Sequence, residues 1–117
     1  VRTRRYTYRQ DGFVSVRADY NGGELITKPL TFEGRYLSLN VATAAAGEAR
    51  VELQRPDGRP FEGYALEDCR PFYGDALDHR VSWTQGPDVG PFAGRTVRLR
   101  CALRDADLYA IQFRPHP

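Results

Sequence analysis

Thr96-Val97-Arg98-Leu99-Arg100-Cys101-Ala102-Leu103-Arg104-Asp105-Ala106-Asp107-Leu108-Tyr109-Ala110-Ile111-Gln112-Phe113 decides the fold class. Val97, Leu99, Cys101 and Leu103 alternate with Arg98, Arg100, Ala102 and Arg104, the period-2 pattern of a strand with one buried face. After Asp105-Ala106-Asp107 a second alternating run begins, with Tyr109, Ile111 and Phe113 on one parity. The pattern predicts two strands joined at the aspartates and closing an all-β domain.

Working outward, the same alternation recurs. Phe13-Val14-Ser15-Val16-Arg17-Ala18 places Val14, Val16 and Ala18 on one face, and Asn21-Gly22-Gly23 ends the run. Glu24 to Lys28 reaches Pro29, which lacks an N–H, so this strand is an edge, or bends or stops there. Arg35 to Thr43 alternates with Leu37, Leu39 and Val41 inward and Tyr36, Ser38 and Asn40 outward. Ala44-Ala45-Ala46-Gly47 is too short to nucleate a helix and reads as a loop to the next strand, Glu48 to Gln54. Pro56-Asp57-Gly58 marks a turn, Phe61 to Asp75 is the least regular segment, and His79 to Thr84 alternates again. Repeated short strands without an amphipathic helix predict an all-β antiparallel β-sandwich of jelly-roll type with about eight or nine strands, a small closed barrel being the competitor.

The 117 residues suffice for one domain, 1–117, with a core of its own. Val1 and Arg114-Pro115-His116-Pro117 read as the edges of a domain excised from a longer multidomain protein. The net charge of +2 conceals a segregation, because residues 1–20 and 95–117 each carry five arginines against two aspartates while the middle is acidic. Cys69 and Cys101 have no CxxC or Cys/His spacing for zinc, and Cys101 lies on an apolar parity, so free thiols are expected rather than a bridge. No apolar run approaches a membrane span, and with a small net charge, interspersed acids and no RNP-like or helix-turn-helix pattern a nucleic-acid partner is not expected.

Catalysis needs groups that converge. His79 and His116 are the only imidazoles, and no serine or cysteine sits in a nucleophile-elbow context. Glu67, Asp68 and Asp75 could form a carboxylate pair, but solvated or turn-capping roles account for them, so an enzyme is not expected. Asp19, Asn21, Asp68 or Asp75 offer hard oxygen ligands for a structural calcium, without EF-hand-like spacing, and no other cofactor is implied. Sugar binding combines aromatic faces with planar polar groups. Tyr36 and Asn40 share an outward parity, whereas Trp83 shares parity with Val81 and reads as core. Phe72, Tyr73 and Asp75 lie in the irregular segment, where side chains can be displayed. Arg98, Arg100 and Arg104 form an outward stripe, joined by Arg17, suited to bidentate binding of carboxylate or sulfate. The carbohydrate-binding candidates are therefore Tyr36, Asn40, Phe72, Tyr73, Asp75, Arg98 and Arg100. Arg98→Ala with Arg100→Ala is expected to leave folding intact.

Asp88 to Arg100, with Gly94 followed by Val97, Leu99 and Arg100, resembles the approach to a late strand in galactose-binding-like jelly rolls. A wider pattern runs from Asp11-Gly12-Phe13-Val14-Ser15 through Gly23 to Thr27, Pro29-Leu30, Gly34, Leu37, Leu39 and Asn40. It continues through Gly63, Asp68-Cys69, Gly74-Asp75, Trp83, Gly94, Ala106, Leu108-Tyr109 and Phe113. That pattern is similar to the C-terminal β-sandwich domains of fructosidase-like glycoside hydrolases of environmental bacteria, with Cys101 where a larger apolar residue is expected. The resemblance implies a non-catalytic accessory module, extracellular or periplasmic, that binds polysaccharide or oligosaccharide and accompanies a catalytic domain. The alternatives are a purely structural sandwich packed on that catalytic domain without a ligand of its own, and a small enzyme.

Overall fold

The computed structural model describes residues 5–6, 13–19, 22–27 and 29–115. Six strands occur among them: β1 (Arg5–Tyr6), β2 (Phe13–Ala18), β3 (Gly23–Ile26), β4 (Tyr36–Gln54), β5 (Asp75–Arg80) and β6 (Arg98–Arg114). Their order is β1-β3-β6-β4-β5, with β2 also pairing β6, and every pairing is antiparallel except that of β1 with β3. Two 3₁₀ turns, Leu66–Asp68 and Gly90–Phe92, are the only helical segments among the described residues. The molecule is thus all-β, as the alternation predicts.

The strand count differs from expectation for one reason. Segments that read as separate strands are halves of two long ones. Residues 36–43 and 48–54 belong to β4, and the two runs flanking Asp105-Ala106-Asp107 belong to β6. The opening stretch is therefore one strand, not a hairpin. Asp105 does leave the β region, at φ 47°, but it is the single non-glycine residue with positive φ among those described, whereas a type I′ hairpin turn requires two successive residues there. One such residue bends a strand without reversing it.

β4 and β6 pair along both halves, from Tyr36↔Arg114 to Thr43↔Ala106 and again from Glu48↔Arg104 to Gln54↔Arg98. At about 3.3 Å per residue a straight β4 of 19 residues would reach about 60 Å, yet the longest dimension of the molecule is 35 Å. The ribbon must fold over, and it does so where residues 44–47 interrupt the register opposite Asp105. There the backbones close on each other. A Cβ at Gly47 would strike the carbonyl oxygen of Asp105 and come within 2.6 Å of that of Arg104.

Each half gathers its own neighbours. β5 and β2 flank residues 36–43 and 106–110, whereas β3 flanks residues 100–103. β3 stops before Pro29, one of the options that proline left open, and a single bridge, Leu30↔Val97, resumes the pairing. β1 lies beyond β3 rather than beside β6, whereas β2, which carries Arg17, pairs β6 directly. The inward side chains of both halves form one core, with Leu37, Leu39 and Leu108 from one half and Val51, Leu99 and Cys101 from the other. Trp83 is completely buried, as its parity with Val81 predicts, and its indole Nε1–H donates to the Val51 carbonyl at 2.8 Å.

Cys69 and Cys101 are both buried free thiols, and the Val51 N–H donates to Cys69 Sγ at 3.3 Å. Burial pushes the Cys101 thiol up to about 12.

Two outcomes follow from this packing. Gly47→Ala is expected to lower unfolding stability by about 3 kcal/mol, the upper end of overpacking costs. Gly58→Ala, at φ 92° with open space around the added methyl, should cost only about 1 kcal/mol from backbone strain. Equal losses in urea denaturation would show that the bend accommodates a side chain. The second concerns alkaline pH. The unfolded Cys101 thiol ionises near pH 9 while the folded one resists to about 12, so its contribution is intact below pH 9 and declines above it by about 1.4 kcal/mol per pH unit. Cys101→Ala should flatten that decline in urea midpoints recorded on either side of about pH 9.

Candidate functional site

The outward face of residues 36–43, flanked by β5 and the end of β6, is shaped by irregular pairing. Along β6, Ala110 opposes Asn40 and Leu108 opposes Val41, leaving Tyr109 as an extra residue in a β-bulge. Leu108 and Ile111 are buried, Tyr109 is 45% exposed and Ala110 is half-buried. The bulge thus turns Tyr109 outward with Ala110 and corrects the parity that grouped it with Ile111 and Phe113. Two residues of β5, Leu77 and Asp78, likewise fall within the register shift opposite Asn40.

Between these irregularities lies a cleft of about 210 Å³ lined by Ser38, Asn40, Asp78, Ala110, Gln112 and Arg114. Arg114 spans it, donating from Nε to Asp78 Oδ1 at 3.1 Å and from Nη2 to Gln112 Oε1 at 2.8 Å. The second bond uses Gln112 Oε1, and the Gln112 NH₂ has no hydrogen bond to any described residue. The Asn40 side-chain amide has no hydrogen bond to any described residue. Ala110, with only a methyl group, leaves the floor open. Ser38 is buried rather than displayed, and Tyr36 lies at one end with the Arg80 guanidinium 4.9 Å from its ring centre. Asn40 and Tyr36 therefore occupy one face, as parity predicts. The Tyr36 ring, however, already carries a cation on one side.

The arginine stripe lies on the other half of the ribbon and is not solvated throughout. Arg100 Nε donates to Glu24 at 2.6 Å, and its Nη1 is 3.7 Å from Glu52. Glu24 is only 7% exposed and Glu52 6%, and Glu52 also accepts from Gln54 and from the Leu66 N–H. Arg98 is half-buried, with an Nε–H that has no hydrogen-bond partner. Arg17, on β2, spans Asp105 and Asp107. Carboxylates from adjacent strands thus occupy much of the stripe, partners that a single strand's pattern cannot reveal.

Phe72, Tyr73 and Asp75 separate. Phe72 packs against the core and the His79 ring, 4.2 Å between centres, while its backbone bridges Ala49. Burial holds the His79 imidazole below its usual range, so it is neutral at pH 7. Tyr73 is 63% exposed. Asp75 begins β5, exposed, opposite Ala42. Among the described residues no three His, Cys, Asp or Glu side chains gather as cation ligands. Asp68 instead accepts from the Ala65 N–H within its 3₁₀ turn, and Asn21 and His116 lie outside the described residues. Asp88 is a clamp. One oxygen accepts from Arg35 at 2.6 Å and the other from the Gly90 N–H at 2.8 Å, and the guanidinium holds the carboxyl below its usual range.

Comparison with protein-family models, with curated proteins and with solved structures returns no match. No helix among the described residues is long and apolar enough to cross a membrane.

The expectation that both Arg98 and Arg100 are dispensable for folding gives way at Arg100. Arg100→Gln strips buried Glu24 and Glu52 of their cation and is expected to cost about 2–3 kcal/mol, below the full penalty for a broken buried pair because Arg100 is partly exposed. Arg114→Gln, whose partner Asp78 is exposed, should cost less than about 1 kcal/mol. Urea denaturation of the two variants distinguishes these outcomes.

Proposed function

We propose that this domain is a non-catalytic carbohydrate-binding module, a β-sandwich of jelly-roll type that holds an attached glycoside hydrolase on its polysaccharide outside the cytoplasm. The observation that carries the proposal is the cleft over Ala110, where the Asn40 amide and the Gln112 NH₂ have no hydrogen-bond partner among the described residues. Sugar hydroxyls both donate and accept, and carboxamides held at fixed spacing match them without requiring charge. Asp78 adds acceptors, Arg114 adds donors, and the exposed Tyr109 offers an aromatic face beside Ala110.

Two further features support the reading. The folded β4–β6 ribbon, with inward apolar and outward polar faces on both halves, is consistent with a sandwich. Tyr73 and Tyr109 are the exposed large hydrophobic residues among those described, and both carry hydroxyls. That surface suits ligand contact better than packing on a catalytic domain. A module of this kind acts by raising the local concentration of the enzyme it is tethered to, so modest affinity is sufficient.

Calorimetric titration with neutral cello-, xylo-, galacto- and fructo-oligosaccharides tests the proposal. At least one is expected to bind. Asn40→Ala with Gln112→Ala should weaken it about 30-fold, two hydrogen bonds at about 1 kcal/mol each, with the circular dichroism spectrum unchanged. Failure of every oligosaccharide to bind, or a double variant that binds as tightly as the parent, would overturn it.

A further inference from the structure

Two of the described ion clusters of this ribbon share a pattern that a third inverts. Arg17 faces two carboxylates, Asp105 and Asp107, and Arg100 faces two, Glu24 and Glu52. At Glu48 the ratio reverses. Arg50 Nε lies 2.7 Å from one carboxylate oxygen and Arg104 Nη2 lies 3.1 Å from the other. Each guanidinium there spends one of its five N–H donors, and neither has another hydrogen-bond partner among the described residues. Among the described residues the cluster keeps one excess positive charge and a fan of unused donors.

The strand register explains why these groups meet. Glu48 and Arg50 share the outward parity of β4, and Arg104 directly opposes Glu48 across the ladder. Ala102, opposite Arg50, fills none of the space between the two arginines, which leaves a recess of about 230 Å³ lined by Glu48, Arg50, Ala102, Leu103 and Arg104. On the other side of β4, the antiparallel bridge Ala49↔Phe72 sets Tyr73 alongside Glu48. Its ring is the most exposed large hydrophobic group described, and its phenol is near enough to Arg50 to act on it electrostatically.

We propose that this recess binds the anionic substituent of an acidic polysaccharide, a carboxylate or a sulfate ester. Arg50 and Arg104 engage the anion and Tyr73 stacks on the sugar ring that bears it. A guanidinium pair receives either oxyanion bidentately, and a flat aromatic face suits the C–H side of a pyranose. Glu24, opposite Ala102 on β3, and Asp105, next to Arg104, place acids beside the recess, so it suits one anionic group seated between the arginines better than the continuous phosphates of a nucleic acid. Glu48 holds the arginines in register and also competes with the ligand for them. The site is separate from the Asn40–Gln112 cleft and does not depend on neutral sugars binding there.

The test is titration with polygalacturonate, dextran sulfate, uncharged dextran and oligo-dT at low and moderate salt. Polygalacturonate, dextran sulfate or both are expected to bind, more weakly as salt rises, and whichever binds assigns the substituent. Arg50→Gln with Arg104→Gln should lower affinity at least tenfold, about the worth of one charge-assisted hydrogen bond. Tyr73→Ala should lower it several-fold. Glu48→Gln removes the competitor and should raise affinity several-fold, a gain that a purely structural ion cluster would not give. Absence of binding to both acidic glycans would overturn the proposal, as would oligo-dT bound as tightly as either. So would a folded Glu48→Gln variant whose affinity is unchanged or lower.

Discussion

The folding of one long antiparallel ribbon on itself is the constraint from which the other features descend. β4 and β6 hydrogen-bond along nearly their whole length, but a straight ribbon would bury neither face. Folding it over brings two apolar faces together. The bend needs a residue that tolerates a left-handed backbone on one strand and a residue without a side chain on the other. Asp105 and Gly47 supply these opposite each other. β2, β3 and β5 then attach to whichever half presents a free edge.

Because the ladder runs through both halves, small irregularities decide what faces water. A one-residue bulge exchanges inside for outside over the following residues, and β6 makes such a change at Asp105 and again at Tyr109. The second creates the cleft over Ala110. The unbulged segment on the other side of the bend places charged residues from three strands in adjacent rows, so carboxylates can meet arginines of the next strand. Exposed pairs of this kind contribute little stability. The Glu24–Arg100–Glu52 group differs, since losing its cation leaves two buried carboxylates without that counter-charge, Glu52 keeping its bonds from Gln54 and the Leu66 N–H.

Much of the fold was legible in the sequence. The inward residues Leu37, Leu39, Val41, Leu99, Cys101 and Leu103 are those the alternation selects, and Trp83 is core. What escaped is what depends on a partner strand. Asp105-Ala106-Asp107 carries local turn chemistry, and only the pairing with β4 makes it a bend instead of a reversal. Ala44 to Gly47 looks like a loop because the residues are small, and at Gly47 the missing side chain is what lets two backbones nearly touch. Tyr109 shares the parity of Ile111 until the bulge is known. At the surface, parity correctly set Asn40 and the arginines outward, but it could not show that Glu24 and Glu52 sit against Arg100 or that Arg104 faces Glu48.

The two strands of the ribbon are joined by no tight turn. Their nearest paired residues, Gln54 and Arg98, are separated by the whole irregular segment, and their farthest, Tyr36 and Arg114, by most of the chain. Loop closure must therefore come before the central contacts form, which places the domain among the slower-folding topologies. During synthesis β4 leaves the ribosome well before β6, and its apolar face has no partner on that side until residues 98–114 follow. In the interval an exposed β4 is open to pairing with other chains, so the later synthesis of β6 is what protects the growing chain from aggregation.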